Sequence, residues 1–224
     1  PLQQLTGEQG FMGLTFSVNE HVLIPRQDTE ILVEEVLKEL HDGMRVLDMC
    51  TGSGCILLSL LHYSNDCEGL GVDLSAEALE VAGRNVLKVL TPEKAEHAHF
   101  LQSDLFEKVE GKFEIIVSNP PYIASAEVEK LMPEVRDHEP RMALDGTEDG
   151  LYFYRRIIEE AGKHLVSSGM LFFEIGYDQG QAVSELMRTE GYCDVQVVQD
   201  YAGLDRVVFG TYVTVQPAPF AKSR

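Results

Sequence analysis

The sequence predicts an α/β fold: a mostly parallel, seven-stranded sheet with an antiparallel hairpin at one edge, preceded by a short β-hairpin. Three observations predict it. From residue 45 onward, short apolar runs alternate with helical patterns, the rhythm of a parallel sheet with right-handed crossovers. Glycine and acidic residues gather where the early runs end, as turns at the carboxyl edge of such a sheet require. The last two runs, 193–198 and 207–212, have only a short link, which suits an antiparallel pair.

The elements follow in order. Leu14–Val18 and His21–Ile24 alternate apolar and polar residues around Asn19-Glu20, which reads as a hairpin with a two-residue turn. A periodic helix runs from about 31 to 40, with Asp28 or Thr29 as its cap and Glu30 and Glu34 near its positive end. Strands are expected at 45–49, 70–73, 97–102, 113–118 and 170–175, and helices at 55–63, 75–90, 150–165 and 178–189. Residues 1–27 then form a hairpin linker segment, 28–215 the main domain and 216–224 a loose, proline-containing tail. The chain starts at Pro1, not methionine, which points to a fragment or a processed chain.

Composition excludes several classes. A net charge of −19, with no basic run, argues against tight binding of nucleic acid, which depends on lysine and arginine neutralising phosphates. The cysteines Cys50, Cys55, Cys67 and Cys193 contain no C-x-x-C pair, so no metal is expected. With no signal peptide and no membrane-length apolar run, the chain reads as cytoplasmic, with reduced thiols. His97 and His99 share one face of a strand with nothing carboxylate- or thiol-rich flanking them, and read as plain strand residues. In the acidic 127–149 loop, Glu134, Glu139 and Arg141 read as solvated charges.

The chemistry gathers at one rim. Strand 113–118 runs directly into Asn119-Pro120-Pro121-Tyr122. Two prolines remove two donors, and Pro120 keeps Asn119 out of the helical region, so the corner is stiff and extended. The Asn119 amide oxygen and the Pro120 carbonyl then form a pair of acceptors suited to a planar –NH2 group, with the Tyr122 ring beside it. Asp48-x-x-x-Gly52-x-Gly54 follows the first strand of the main sheet and opens a helix, while Asp73 ends the second strand, where a carboxylate accepts both ribose hydroxyls. Asp104 follows the third and adds an acid at the same edge, where an adenine amino group could be met. The loop is not G-x-G-x-x-G and no P-loop lysine follows, so dinucleotides and triphosphates lose ground. Adenosine beside a two-acceptor corner points to S-adenosylmethionine and methyl transfer to a planar nitrogen.

These residues resemble the HemK/PrmC family of protein-(glutamine-N5) methyltransferases, which act on peptide chain release factors. The likeness covers nearly the whole chain: 13–18, Leu23-Ile24-Pro25-Arg26 with Thr29-Glu30, 46–54, 71–75, 103–106, 117–123, 139–144, 149–151, 173–176 and 200–208. Asn-Pro-Pro-Tyr alone is shared with DNA adenine and RNA guanine methyltransferases; the Pro-Arg-x-x-Thr-Glu and Ala-Gly-Leu-Asp-Arg segments are more specific. The resemblance implies a Rossmann-like class I methyltransferase fold. It implies that Cys50, Thr51, Gly52, Ser53 and Gly54, with Asp73 and Leu74, hold the methionine and ribose parts of the cofactor, leaving S-adenosylhomocysteine as product. Asp104 and Leu105 then lie near adenine. Asn119, Pro120, Pro121 and Tyr122 hold the glutamine amide of the release factor's Gly-Gly-Gln motif, with Phe11 and Arg26 as further walls.

Two positions depart from the family pattern. Cys50 stands where glycine is commonest, which is tolerable if it keeps a negative φ, and Gly10 stands where a larger residue is usual. The family's preceding helical domain, which aids release-factor recognition, is expected to lie outside this chain, which is read as a monomer. Alternative readings are a glutamine methyltransferase of a ribosomal protein, an N6-adenine or N2-guanine nucleic-acid methyltransferase, and a non-enzymatic cofactor-binding protein.

Overall fold

The computed structural model describes residues 1–214, so the expected 216–224 tail lies outside the described residues. The chain begins with α1 (Leu2–Thr6), the strands β1 (Glu8–Phe11) and β2 (Leu14–Ser17), and α2 (Glu30–Leu37). The alternating body follows as β3 (Arg45–Met49), α3 (Cys55–Tyr63), β4 (Glu68–Asp73), α4 (Ala76–Val89), α5 (Pro92–Ala95), β5 (Ala98–Gln102) and β6 (Phe113–Ser118). The single turns α6 (Ser125–Val128) and α7 (Pro133–Arg136) precede α8 (Tyr152–Ala161), β7 (Leu165–Glu174), α9 (Gly180–Thr189), β8 (Cys193–Gln199) and β9 (Asp205–Thr211).

The seven-stranded sheet has the order β5-β4-β3-β6-β7-β9-β8. Pairing is parallel from β5 through β7, and β9 runs antiparallel to both β7 and β8. Neighbouring strand residues divide between two cores. Val46, Ile115, Val117, Phe172 and Val207 enter one with α2 and α3. Leu47, Ile116, Leu171, Phe173 and Val208 enter the other with α8 and α9. Both faces are therefore covered, which is why these strands read as continuous apolar runs. Each such side chain stabilises the fold by about 1.5–3 kcal/mol relative to exposure.

The N-terminal hairpin differs from its expected position. It pairs β1 with β2 through Met12-Gly13, not Leu14–Val18 with His21–Ile24. Both turn residues have positive φ, +52° and +73°, the conformation that matches strand twist in a two-residue turn. Met12 is held there from both sides, its N–H donating to Glu30 Oε2 and its carbonyl accepting from the Tyr63 hydroxyl. Residues 21–24 do alternate in burial, because Val22 and Ile24 pack with Val18, Ala78 and Val81. They have no strand partner: alternation reported burial and not a ladder. Ser75 does cap α4, accepting from the Ala78 N–H, whereas Thr29 makes no side-chain cap on α2. His97 and His99 are not free of carboxylates either, since both reach Glu68 on the adjacent β4.

Candidate active site

Register brings the functional rim together. Met49 of β3 lies opposite Val72 of β4 on one side and Ser118 of β6 on the other. Cys50, Asp73 and Asn119, each one residue further on, therefore lie side by side at the carboxyl edge of the sheet where strand order reverses. The Ser118 hydroxyl donates to the Met49 carbonyl at 2.6 Å and locks the two exits together. A cavity of about 310 Å³ opens above them; its walls include Arg26, Thr29, Thr51, Gly52, Asp73, Asp104, Leu105, Asn119, Pro121, Met142, Ala143 and Phe153, and Pro120 is not among its lining residues.

The β3–β4 side is a loop cradle. Gly52 and Gly54 have φ of +55° and +81°, and a Cβ on Gly54 would press on Ala82 and Leu58 at 3.2 Å. Cys50 lies at φ +65°, so the negative φ that would make cysteine tolerable there is not kept: a side chain occupies a left-handed position in a turn that glycine would enter without strain. The Asp73 carboxylate accepts from the Gly52 N–H at 2.9 Å and from the Ser75 N–H at 3.0 Å, which leaves lone pairs on each oxygen for further donors. Burial raises its pKa and those amides oppose the shift. Beneath the loop Asp48 is fully buried. One oxygen accepts from the Thr51 hydroxyl at 2.7 Å and the other has no partner. Burial pushes this carboxyl up to about 7. Burial also raises the two cleft thiols, Cys55 to about 12, so neither is a nucleophile.

Leu105, at φ +49°, and the exposed Asp104 and Leu74 edge the far end of the cleft, and the Asp104 carboxylate accepts from Arg156. Free lone pairs on Asp73, an open glycine turn and the Asp104–Leu105 end of the same cavity fit a nucleoside cofactor.

The other side gathers distant segments. Arg26 lines the cleft and forms a two-pronged pair with Glu139, at 2.6 and 3.3 Å, while the Ile24 N–H donates to the same carboxylate. The Glu139 side chain is only 1% exposed, so it is no solvated charge. Thr29 also lines the cleft, and its hydroxyl donates to buried Glu174, which Tyr122 reaches from the other side at 3.3 Å. Among the described residues the Asn119 side chain and the Pro120 carbonyl have no hydrogen-bond partner.

Asn119 and Pro121 line the cavity as expected. Tyr122 does not: its ring packs beneath the corner with the second core, and burial raises its phenol pKa. Phe11 is not a wall of the site, since it is buried against Phe16 in the hairpin. The sequence reading missed Thr29 as a lining residue, and also Phe153, Met142 and Ala143. Thr29 stood inside the Pro-Arg-x-x-Thr-Glu segment and Met142 and Ala143 inside the 139–144 stretch, whereas Phe153 lies outside every stretch that resembles the family.

The family model described as methyltransferase small domain matches residues 26–135. The release factor glutamine methyltransferase of Thermodesulfovibrio yellowstonii is 44% identical over 213 residues, 93% of this chain and 75% of that protein. The Moorella thermoacetica protein of that name is 47% identical over 210 residues, 92% of this chain and 73% of its own. The chain belongs to the release factor glutamine methyltransferase family. It is thus an enzyme of the methyltransferase class. A solved protein-(glutamine-N5) methyltransferase from Alicyclobacillus acidocaldarius is 31% identical, with 89% of this chain and all of that chain covered at a TM-score of 0.51. A methyltransferase from Pyrococcus furiosus, at 18% identity, shares the fold at a TM-score of 0.65 over 92% of each chain. Among the described residues no helix is long and apolar enough to cross a membrane, and no cluster of three metal-ligating side chains occurs.

Proposed function

We propose that this chain methylates the side-chain amide nitrogen of the glutamine in the Gly-Gly-Gln motif of peptide chain release factors, with S-adenosylmethionine as donor. The observation that carries this reading is the unpaired acceptor couple, Asn119 Oδ1 and the Pro120 carbonyl, beside the Cys50–Gly54 loop. On this reading residues 28–215 form the catalytic unit and residues 1–27 support its target side. Thr51 to Gly54, with Asp73, hold the methionine and ribose parts of the cofactor, and Asp104, Leu105 and Phe153 flank adenine. When bound, the cofactor supplies an electrophilic methyl group on a positively charged sulfur.

An amide nitrogen is a weak nucleophile because its lone pair is delocalised into the carbonyl. Asn119 and Pro120 accept its two hydrogens, which aims the nitrogen at the methyl carbon and favours the positive charge that develops on it. The target nitrogen would take the methyl group that the bound cofactor supplies and give one proton to solvent, while Asn119 and Pro120 hold its hydrogens. Tyr122 stiffens the corner from below instead of stacking on the amide. Arg26, held by Glu139, and the apolar Met142 and Ala143 wall the entry for the glutamine stem.

The test is methyl transfer from labelled S-adenosylmethionine to a release factor and to a variant with the Gly-Gly-Gln glutamine changed to asparagine. Label on the intact factor alone is expected. Cofactor binding with no label on the factor would overturn the release-factor reading, and label on a ribosomal protein instead would redirect it.

A further inference from the structure

The acceptor corner has an anchoring problem. Pro120 and Pro121 carry no N–H, so two successive residues at the reacting position cannot be tied to the scaffold through their amides. Upstream the chain is fixed at Ser118, by the β3 pairing and by its hydroxyl on Met49. Downstream, the Tyr122 carbonyl is the first backbone group held. It accepts from Gln179 Nε2 at 2.9 Å, and the next anchor is the Ile123 N–H on the Leu144 carbonyl at 3.0 Å.

Gln179 stands at the start of α9, 57 residues further along the chain. Its one amide group joins three segments. Nε2 also lies 3.4 Å from the Gly150 carbonyl, and Oε1 accepts from the Gly176 N–H at 2.8 Å. The packing leaves no slack around this knot. Gly150 has φ +76°, and a Cβ there would fall 2.5 Å from the Tyr122 carbonyl and 3.0 Å from Gln179 Nε2. A Cβ on Gly146 would fall 2.8 Å from the Tyr122 Cα. Because both prolines have φ locked near −65°, a fixed Tyr122 carbonyl leaves the Pro120 carbonyl little freedom to turn. Gln179 itself is not among the residues lining the cavity, so it acts on the reaction only through the corner.

We infer that Gln179 is the positioning residue of the acceptor corner: its amide fixes the Tyr122 carbonyl and, through the two prolines, the direction in which the Pro120 carbonyl meets the target nitrogen. The inference rests on the glutamine reading proposed above. It also explains why an amide serves where a carboxylate of equal size would not. The side chain must donate toward two carbonyls while accepting from one N–H, and glutamate would set an oxygen against both carbonyls.

The experiment compares Gln179→Glu with the unaltered chain and with Gln181→Glu, a matched charge change on the exposed face of α9. Cofactor affinity is read by calorimetry, and transfer by single turnover at saturating cofactor and release factor. Gln179→Glu is expected to lower the transfer rate by about tenfold to a hundredfold, as a sub-ångström to ångström misplacement does. Cofactor Kd should stay within about twofold, the tolerance expected of a residue outside that site. Gly150→Ala, which presses on the same bond from the opposite side, should give the same split, while Gln181→Glu should match the unaltered chain.

A Gln179→Glu protein that transfers at the unaltered rate overturns the inference. So does one that loses cofactor binding together with transfer, because the amide would then hold the domain and not the corner. Failure of the unaltered chain to label any glutamine amide would instead count against the proposed function, so the two failures are distinguishable.

Discussion

Around the Cys50–Gly54 loop the polar bonds span 2 to 32 residues: 2 from Asp73 to Ser75, 3 from Asp48 to Thr51, 21 from Gly52 to Asp73 and 32 from Ser53 to Asn85. On the target side the bonds span 57 residues at Gln179–Tyr122, 113 at Arg26–Glu139 and 145 at Thr29–Glu174. The first side is a product of adjacent strand exits and is shaped once β3 and β4 pair. The second exists only when the N-terminal segment, the 123–149 loop and the exits of β6 and β7 are all docked. Cofactor binding is therefore expected to be separable from target recognition, and single changes should fall on one or the other.

The sharpest break in that contrast is Asn119→Ala. It should lower kcat by a factor on the order of 10²–10³, by analogy with removal of one preorganised polar group at a reacting centre. Cofactor affinity, measured by calorimetry, should hold within a few-fold; a matching loss of affinity would show that the two sides are not separable. Asp73→Ala probes the opposite side. Losing hydrogen bonds from a charged acceptor should weaken cofactor binding by roughly 30-fold, about 2 kcal/mol, with target KM little altered at saturating cofactor. Glu139→Gln is milder, because Arg26 is 40% exposed and its pair is screened by solvent. It should raise target KM by about threefold to fivefold without moving cofactor Kd, an effect of the size expected for a partly solvated pair.

The remaining prediction concerns stability and not activity. Asp48 has its native pKa raised from 3.8 to about 7 by burial, so between those values the folded protein holds a proton that the unfolded chain has released. Folding is then favoured more at the acidic end of that window, and this contribution is lost as pH rises through about 7. In melting curves across the window, the difference between the unaltered chain and Asp48→Asn should change with pH in that sense. A difference independent of pH would show that Asp48 is ionised throughout.

How much of the site was legible follows the same division. The Asp48–Gly54 loop, Asp73 and Asn119–Pro121 were readable because each is a short string at the end of an apolar run. Their convergence needed only the rule that ligands sit where strand order reverses. Glu139 read as a solvated charge because nothing within ten residues shows the Arg26 that it meets across the fold. Phe11 and Tyr122 belonged to motifs that resemble the site of the family, yet the tertiary packing turns one into the hairpin core and the other beneath the corner. Met12-Gly13 was missed as a turn because methionine rarely takes positive φ, and two hydrogen bonds from distant residues hold it there.

By itself, then, the sequence determined the alternating architecture, its seven strands and the local chemistry at their ends, since hydrophobic period, glycine and proline act within a few residues. Only the tertiary structure decided which walls close the target side, the left-handed Cys50 and the Gln179 anchor, because a hydrogen bond between residues a hundred positions apart leaves no periodic trace in either segment.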